Sequence, residues 1–157
     1  MSPTHDPVVQ ELMDHMRLRN LMPTYARSID RRDYETLRRI FTPDSYFEFN
    51  VTVKRNGFEE ILSMIKSLER NRATQHFLGN TYIELQGDSA YVETYGEAHH
   101  LTPVDDNNEI DRVFGVRYMA TVVRVKGEWL IKQIIEEADW RRDEVCFAAK
   151  RFKNTLS

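Results

Sequence analysis

The sequence predicts an α+β fold: a cone-shaped α+β barrel with N-terminal helices packed on a curled antiparallel sheet. Three observations carry this. Before residue 73, most apolar residues recur at steps of three and four, the helical period. From residue 73 onward, long β-rich runs are separated by polar turns. Helices and strands are segregated along the chain rather than interleaved, which points away from a parallel βαβ sheet.

The elements follow in order. Residues 1–7 read as a loose tail. "PVVQELMDHMRLRNLMPTYARSID" is a helix with Val9, Leu12, Met13, Met16 and Leu21 on one stripe, and Pro23 predicts a kink or break near Leu21–Met22. "RRDYETLRRIF" is a second, short helix, stopped by "TPD", and "SYFEFNVTV" is a short strand. "GFEEILSMIKSLERN" is a third helix, turning Phe58, Ile61, Leu62, Ile65 and Leu68 inward. "TQHFLGNTYIEL" then opens the sheet, and the turn "QGDS" leads back into "AYVETYGEAHHLT". After the polar loop "PVDDNNEID", the strands "RVFGVRYMATVVRV" and "EWLIKQIIEEADW" flank the tight turn "KG". "RRDEVCFAAKRF" has helical spacing, with Val145, Ala148, Ala149 and Phe152 along one side. The expected organisation is one domain over residues 8–142 and a C-terminal helix over 143–157, lying as a lid across the mouth of the cone.

Composition narrows the function. The chain has 157 residues, of which 41% are hydrophobic and 30% charged, enough for one domain with a real core. A formal net charge of −3 and the lack of any basic run argue against nucleic-acid binding. No apolar run approaches the roughly 20 residues that span a bilayer. "MSPTHDPVVQELM" lacks the pattern of a signal peptide, and the single Cys146 excludes an internal disulfide. A cytoplasmic protein is expected.

Few residues carry chemistry. His76 lies in a strand neither face of which is cleanly polar, so it is either a hydrogen-bonded core residue or the titratable group of a pocket. Asp30 is either the N-cap of the second helix, with Asp33 at its third position, or a pocket carboxylate. Tyr25 and Asp30 are about 140° apart on a regular helix, so they share a pocket only if the helix loosens before Asp30. His99 and His100 are strand neighbours and face opposite ways. His100 shares its face with the small residues Gly96 and Ala98, which suit a cavity wall, whereas His99 goes outside with Glu97 and Tyr95. Tyr118 belongs to the apolar face of its strand. Tyr46, Leu78 and Ile134 complete the expected substrate contacts. No phosphate loop and no Ser-His-Asp or Cys-His pattern is present, and no local ligand motif supports a metal at Asp30, His76 and His100. No cofactor is expected.

Several motifs together resemble the SnoaL-like branch of the nuclear-transport-factor-2-like superfamily. "YARSIDRRDYETLRRIFTPD", "TQHFLGN", "GDSAYVETYGEAHH", "RYMATVVRVKGEW" and "DW" occur in the family's order, and the resemblance covers roughly residues 8–142. The branch includes scytalone dehydratase, bile-acid dehydratases, a hexachlorocyclohexane dehydrochlorinase and polyketide cyclases. The resemblance implies that His76 is a catalytic base held by Asp30, with Tyr25 as a hydrogen-bond donor. Two departures matter. Some dehydratases of the branch carry a carboxylate where Ala98 stands, and several of its enzymes carry an Arg where Ile134 stands.

The expected activity is that of a cofactor-independent lyase or isomerase. It would abstract a proton from an apolar, ring-sized carbonyl or hydroxy compound, with dehydration foremost. The alternatives are a non-catalytic small-molecule-binding module and a structural small subunit of an aromatic-ring dioxygenase. Met119, Val123, Val125, Phe77 and Ile83 are assigned to an exposed outer face, which predicts a homodimer or homotrimer.

Overall fold

A computed structural model describes residues 6–147. Helix α1 spans Pro7–Arg31, α2 Tyr34–Ile40 and α3 Phe58–Lys66, and a 3-10 turn follows at Ser67–Arg70. The strands are β1 Phe41–Phe49, β2 Val53–Asn56, β3 Ala73–Gln86, β4 Ser89–Pro103, β5 Asn108–Val125 and β6 Glu128–Phe147. They form one curled, unclosed sheet in the order β2-β1-β6-β5-β4-β3. The predicted α+β class holds, with one correction to the sheet. It is mixed, because β1 runs parallel to β6 while every other neighbouring pair is antiparallel.

Local chemistry explains the helix ends. The Asp6 carboxylate accepts the Val8 N–H at 2.9 Å and Pro7 begins α1, so the helix takes in the end of the expected tail. The predicted break at Pro23 does not occur: α1 is continuous to Arg31. An internal proline costs about 3 kcal/mol. Here Leu18, Leu21, Met22, Tyr25 and Ala26 are buried on both sides of it, and that packing holds the helix together. Asp33, not Asp30, caps α2, accepting the Thr36 N–H at 3.0 Å and its hydroxyl at 2.8 Å.

The cross-strand registers arrange the concave face in rows. One row runs Phe47–Ile134–Ala120–Val92–Ile83, the next Phe49–Glu136–Tyr118–Thr94–Thr81. Further toward the open end lie Ala138–Val116–Gly96–Leu78 and then Arg141–Phe114–Ala98–His76. Irregularities keep these rows aligned. The register of β3 shifts between Leu78 and Thr81, so Ile83 packs with the core rather than sharing the outer face with Phe77 as expected. In β6 the pairing skips Lys132 and Asp139, which reverses the alternation twice.

The expected C-terminal helix is corrected as well. Residues 141–147 continue β6 and pair with Asn108–Phe114 of β5, leaving Val145 and Phe147 exposed rather than packed over a mouth. The Ala148, Ala149 and Phe152 positions assigned to that helix lie outside the described residues.

A polar clamp fixes the start of α1 to the β5–β6 hairpin. Asp14, 2% exposed, accepts two bonds from the Arg124 guanidinium at 2.8 and 2.7 Å and one from the Trp129 indole at 2.9 Å. The Arg124 guanidinium also stacks 4.2 Å from the Trp129 ring. The bond from Arg124 holds the Asp14 carboxyl well below the usual carboxylate range, against the opposing effect of burial. Asp14→Ala should cost about 3 kcal/mol in denaturant unfolding, since it removes the buried partner of Arg124 and leaves it only the exposed Asp88. A depressed folded-state pKa also fixes the sign with pH. The contribution is present above the ordinary aspartate value and is lost as pH falls below it, and the Ala variant should lack that acid-side loss.

Candidate active site

A cavity of about 350 Å³ opens between the concave face, α1 and the α3 region. That volume lies at the small end of ligand sites and suits a molecule of one or two rings. Its wall includes Tyr25, Phe47, Phe49, His76, Ala98, His100, Phe114, Tyr118 and Glu136. Arg55, Arg70, Asn71 and Arg112 also line it.

His76 stands between this cavity and a groove that runs along α1 and β3. Asp30 lines the groove and holds His76 from behind. Its Oδ1 lies 2.7 Å from His76 Nδ1 and accepts the Thr74 hydroxyl at 2.9 Å, while Oδ2 accepts the His76 backbone N–H at 3.0 Å. The His76 side chain is 4% exposed and that of Asp30 20%. Burial opposes ionisation of Asp30, but the ring of His76, its backbone N–H and Thr74 outweigh it, and the carboxyl sits below its ordinary value. An ionised carboxylate only accepts, so Nδ1 carries a proton, and in the neutral ring Nε2 is the free acceptor. Nε2 has no protein partner among the described residues.

Helix α1 does not loosen before Asp30. Tyr25 therefore faces the cavity while Asp30 faces the groove, and the two meet only through His76. Tyr25 and Tyr118 pack edge to face with centroids 6.0 Å apart. Neither hydroxyl has a hydrogen-bond partner among the described residues. Burial, reinforced by the Glu136 charge, raises both phenols well above the ordinary tyrosine value, so both remain donors. The His100 ring lies 6.4 Å from that of His76 and 5.5 Å from Phe114. Burial first, then the positive charge of His76, Arg70 and Arg112, lowers His100 to about 4, which makes it a neutral hydrogen-bonding group.

Three expected contact residues stand elsewhere. Ile134 is fully buried in the core row beneath the cavity and does not line it. Tyr46 points to the other side of β1, where its hydroxyl donates to Glu48 at 2.5 Å, and Phe47 and Phe49 take the cavity side. Leu78 lies on the concave face but borders the groove, packed into the space left by the missing side chain of Gly96.

One chemical group was missed in the sequence. Glu136 sits beside Tyr118 on the concave face, with no side-chain partner among the described residues, and burial pushes its carboxyl up to about 8. Asn50 fixes the strand on either side of it, donating its N–H to the Glu136 carbonyl at 3.0 Å and accepting the Ala138 N–H at 2.8 Å. Two imidazoles and a carboxylate do not form a ligand set here: among the described residues no three His, Cys, Asp or Glu groups converge as a metal site.

A family profile described as a SnoaL-like domain matches residues 10–134. An uncharacterised protein of Mycobacterium tuberculosis strain H37Rv is 30% identical over 84 residues, 52% of this chain and 57% of that protein. The match thus spans little more than half of that relative's length. Among solved structures, a protein of Novosphingobium aromaticivorans provisionally named a scytalone dehydratase superposes with a TM-score of 0.77 at 20% identity, covering 87% of this chain and 91% of that one. A hexachlorocyclohexane dehydrochlorinase of Novosphingobium barchaimii LL02 superposes with a TM-score of 0.74 at 16% identity, covering 87% and 93%. At these identities the likeness is one of fold. No described helix is long and apolar enough to cross a membrane.

Glu136 generates a prediction for stability. An unfolded glutamate ionises near its ordinary value, while the folded one ionises near 8. Between these points only the unfolded state has released the proton, so stability falls as pH rises through the window and levels off above it. Glu136→Gln should remove that slope in urea unfolding midpoints measured from about pH 5 to about pH 8.5.

Proposed function

Because the chain belongs to the SnoaL-like family, and its cavity holds a carboxylate-bound histidine, we propose that it is a cofactor-independent lyase or isomerase of small molecules, with dehydration the foremost reaction. The single observation that carries the reading is the Asp30–His76 pair on the cavity wall. A non-catalytic binding module has no need of a buried histidine whose tautomer is fixed and whose free nitrogen meets the ligand.

The steps follow from the groups. His76 Nε2 takes a proton from the carbon next to a carbonyl. Asp30 stabilises the imidazolium that forms and keeps the ring in place. The Tyr25 and Tyr118 phenols donate to the carbonyl oxygen as it gains charge. In a dehydration, the C–O bond of a β-hydroxyl then breaks, and that oxygen leaves as water with the proton of Glu136. The carbon–carbon double bond takes the electron pair of the former C–H bond. Proton return from His76 to Glu136 completes the cycle. Without a leaving group, the same base gives isomerisation or aldol-type cyclisation. The partner is a small molecule, and no step needs a nucleic acid or a membrane.

His76→Ala should lower kcat/KM by about a hundredfold or more, the usual contribution of a positioned base, with only a modest fall in the unfolding midpoint, because Asp30 keeps its bonds to Thr74 and to the backbone N–H of residue 76. Asp30→Asn should lower it nearly as much, since the carboxylate that supports the imidazolium is gone. Activity should also fall above about pH 8 as Glu136 ionises, and Glu136→Gln should be slow at every pH. Loss of stability with unchanged rate in the surviving protein would make both His76 and Asp30 structural.

Assembly belongs to the same proposal. Phe77, Tyr95 and Trp140 are exposed on the convex face, 58%, 43% and 42% respectively, a surface suited to a homodimer or homotrimer. Sedimentation at micromolar concentration should give a mass two or three times 18.6 kDa, and a monomer alone would overturn it.

A further inference from the structure

The cavity is apolar and phenolic inside, yet three arginines line it. They come from three separate elements: Arg55 from β2, Arg70 from the 3-10 turn and Arg112 from β5. The chain as a whole is acidic, at −3, so this convergence runs against its average charge. Arg112 is the cross-strand partner of His100, and both Arg70 and Arg112 act on the His100 ring electrostatically, which puts them at one end of the cavity.

These cations are poorly compensated. Arg70 is exposed and makes no hydrogen bond or ion pair among the described residues. The Arg55 guanidinium donates only to the Lys54 carbonyl, at 2.6 Å. Arg112 shares Asp143 at 3.4 Å, but Arg141 already holds that carboxylate at 2.8 and 2.6 Å. Among the described residues Glu136 is the one carboxyl that lines the cavity; it comes from β6 rather than from the turn that carries Arg70, and it keeps its proton at neutral pH.

We propose that the cavity takes a ring-sized apolar molecule bearing an anionic group, a carboxylate or a phosphate, which Arg55, Arg70 and Arg112 hold at the mouth. The inference rests on the reading of this cavity as the substrate site and names the class of that substrate. The physics favours this division. Guanidinium groups match carboxylate and phosphate oxygens in pairs. At the mouth the anion keeps part of its water, so it pays little desolvation, while the ring displaces water from the apolar interior. Neutral His100 supplies a hydrogen bond beside the anion without competing for it.

The test is binding, so it does not depend on catalysis. Titration with 2-naphthoate, its neutral isostere 2-naphthamide and 2-naphthyl phosphate should show an anionic probe bound about tenfold more tightly than the amide. The preference should shrink in raised salt and disappear in Arg55→Ala/Arg70→Ala, whose amide affinity stays unchanged. A carboxylate favoured over phosphate assigns the anion to the substrate's own acid group. The reverse order assigns it to a phosphate-bearing group. His76→Ala should keep the full preference, so failure of the catalytic reading leaves this result standing. Equal binding of acid and amide, a preference that survives the double variant, or no binding of any probe to the wild type would overturn the proposal.

Discussion

The structure depends on one carboxylate. β3 is an edge strand, and an edge exposes unpaired N–H groups that need a partner or a cover. Asp30 satisfies the N–H of His76 at that edge, and from the same position it takes the Thr74 hydroxyl and the His76 ring. The last turn of α1 is thereby pinned to β3, and α1 covers the concave face. The bonds that dock the helix also set the histidine's tautomer. Such a contact can be made only if Asp30 is not spent as a helix cap, and Asp33 fills that role for α2.

This explains what the sequence could and could not disclose. The helix-then-strand order was legible because periods of 3.6 and 2 are set by backbone geometry and survive tertiary packing. Asp30 remained ambiguous because two aspartates three residues apart fit one capping position. Tyr46 and Phe47 could not be told apart by pattern, since "YFEF" is aromatic on both faces. The stretch 141–152 has helical spacing, yet the first half of β5 offers a free edge, and pairing of residues 141–147 along it overrides the local preference. Glu136 was hidden by a bulge. Strict alternation from Trp129 places it outside, but the skip at Lys132 turns it in. Ile131 and Ile134, three apart and both fully buried, are the trace such a bulge leaves.

The chemistry of the cavity follows from where burial is compensated and where it is not. Asp30 is half-buried with three bonds and stays ionised. Glu136 is desolvated with none and keeps its proton at neutral pH. One fold thus provides an ionised and a protonated carboxyl at the same pH, which is what paired base and acid catalysis requires. The two phenols and His100 follow the same rule, being driven to their neutral, donating forms by burial.

Groups left unpaired in a cavity cost stability, and the packing beneath it offsets that cost. Beneath the cavity, Val92, Ala120, Val122, Ile131 and Ile134 are fully buried and carry no polar atoms on their side chains. At the far end of α1, Asp14, Arg124 and Trp129 satisfy one another, so the hairpin that carries both Tyr118 and Glu136 is anchored away from the site. Glu136 can stay unpartnered because β6 is held on both sides, by β5 and by β1 with its Asn50 contacts. A carboxyl on a loosely held strand would relax toward solvent, regain its ordinary acidity and cease to be a proton donor at neutral pH. The rigidity of the long β5–β6 hairpin is therefore part of the acid chemistry proposed for Glu136, as the docking of α1 is part of the base chemistry proposed for His76.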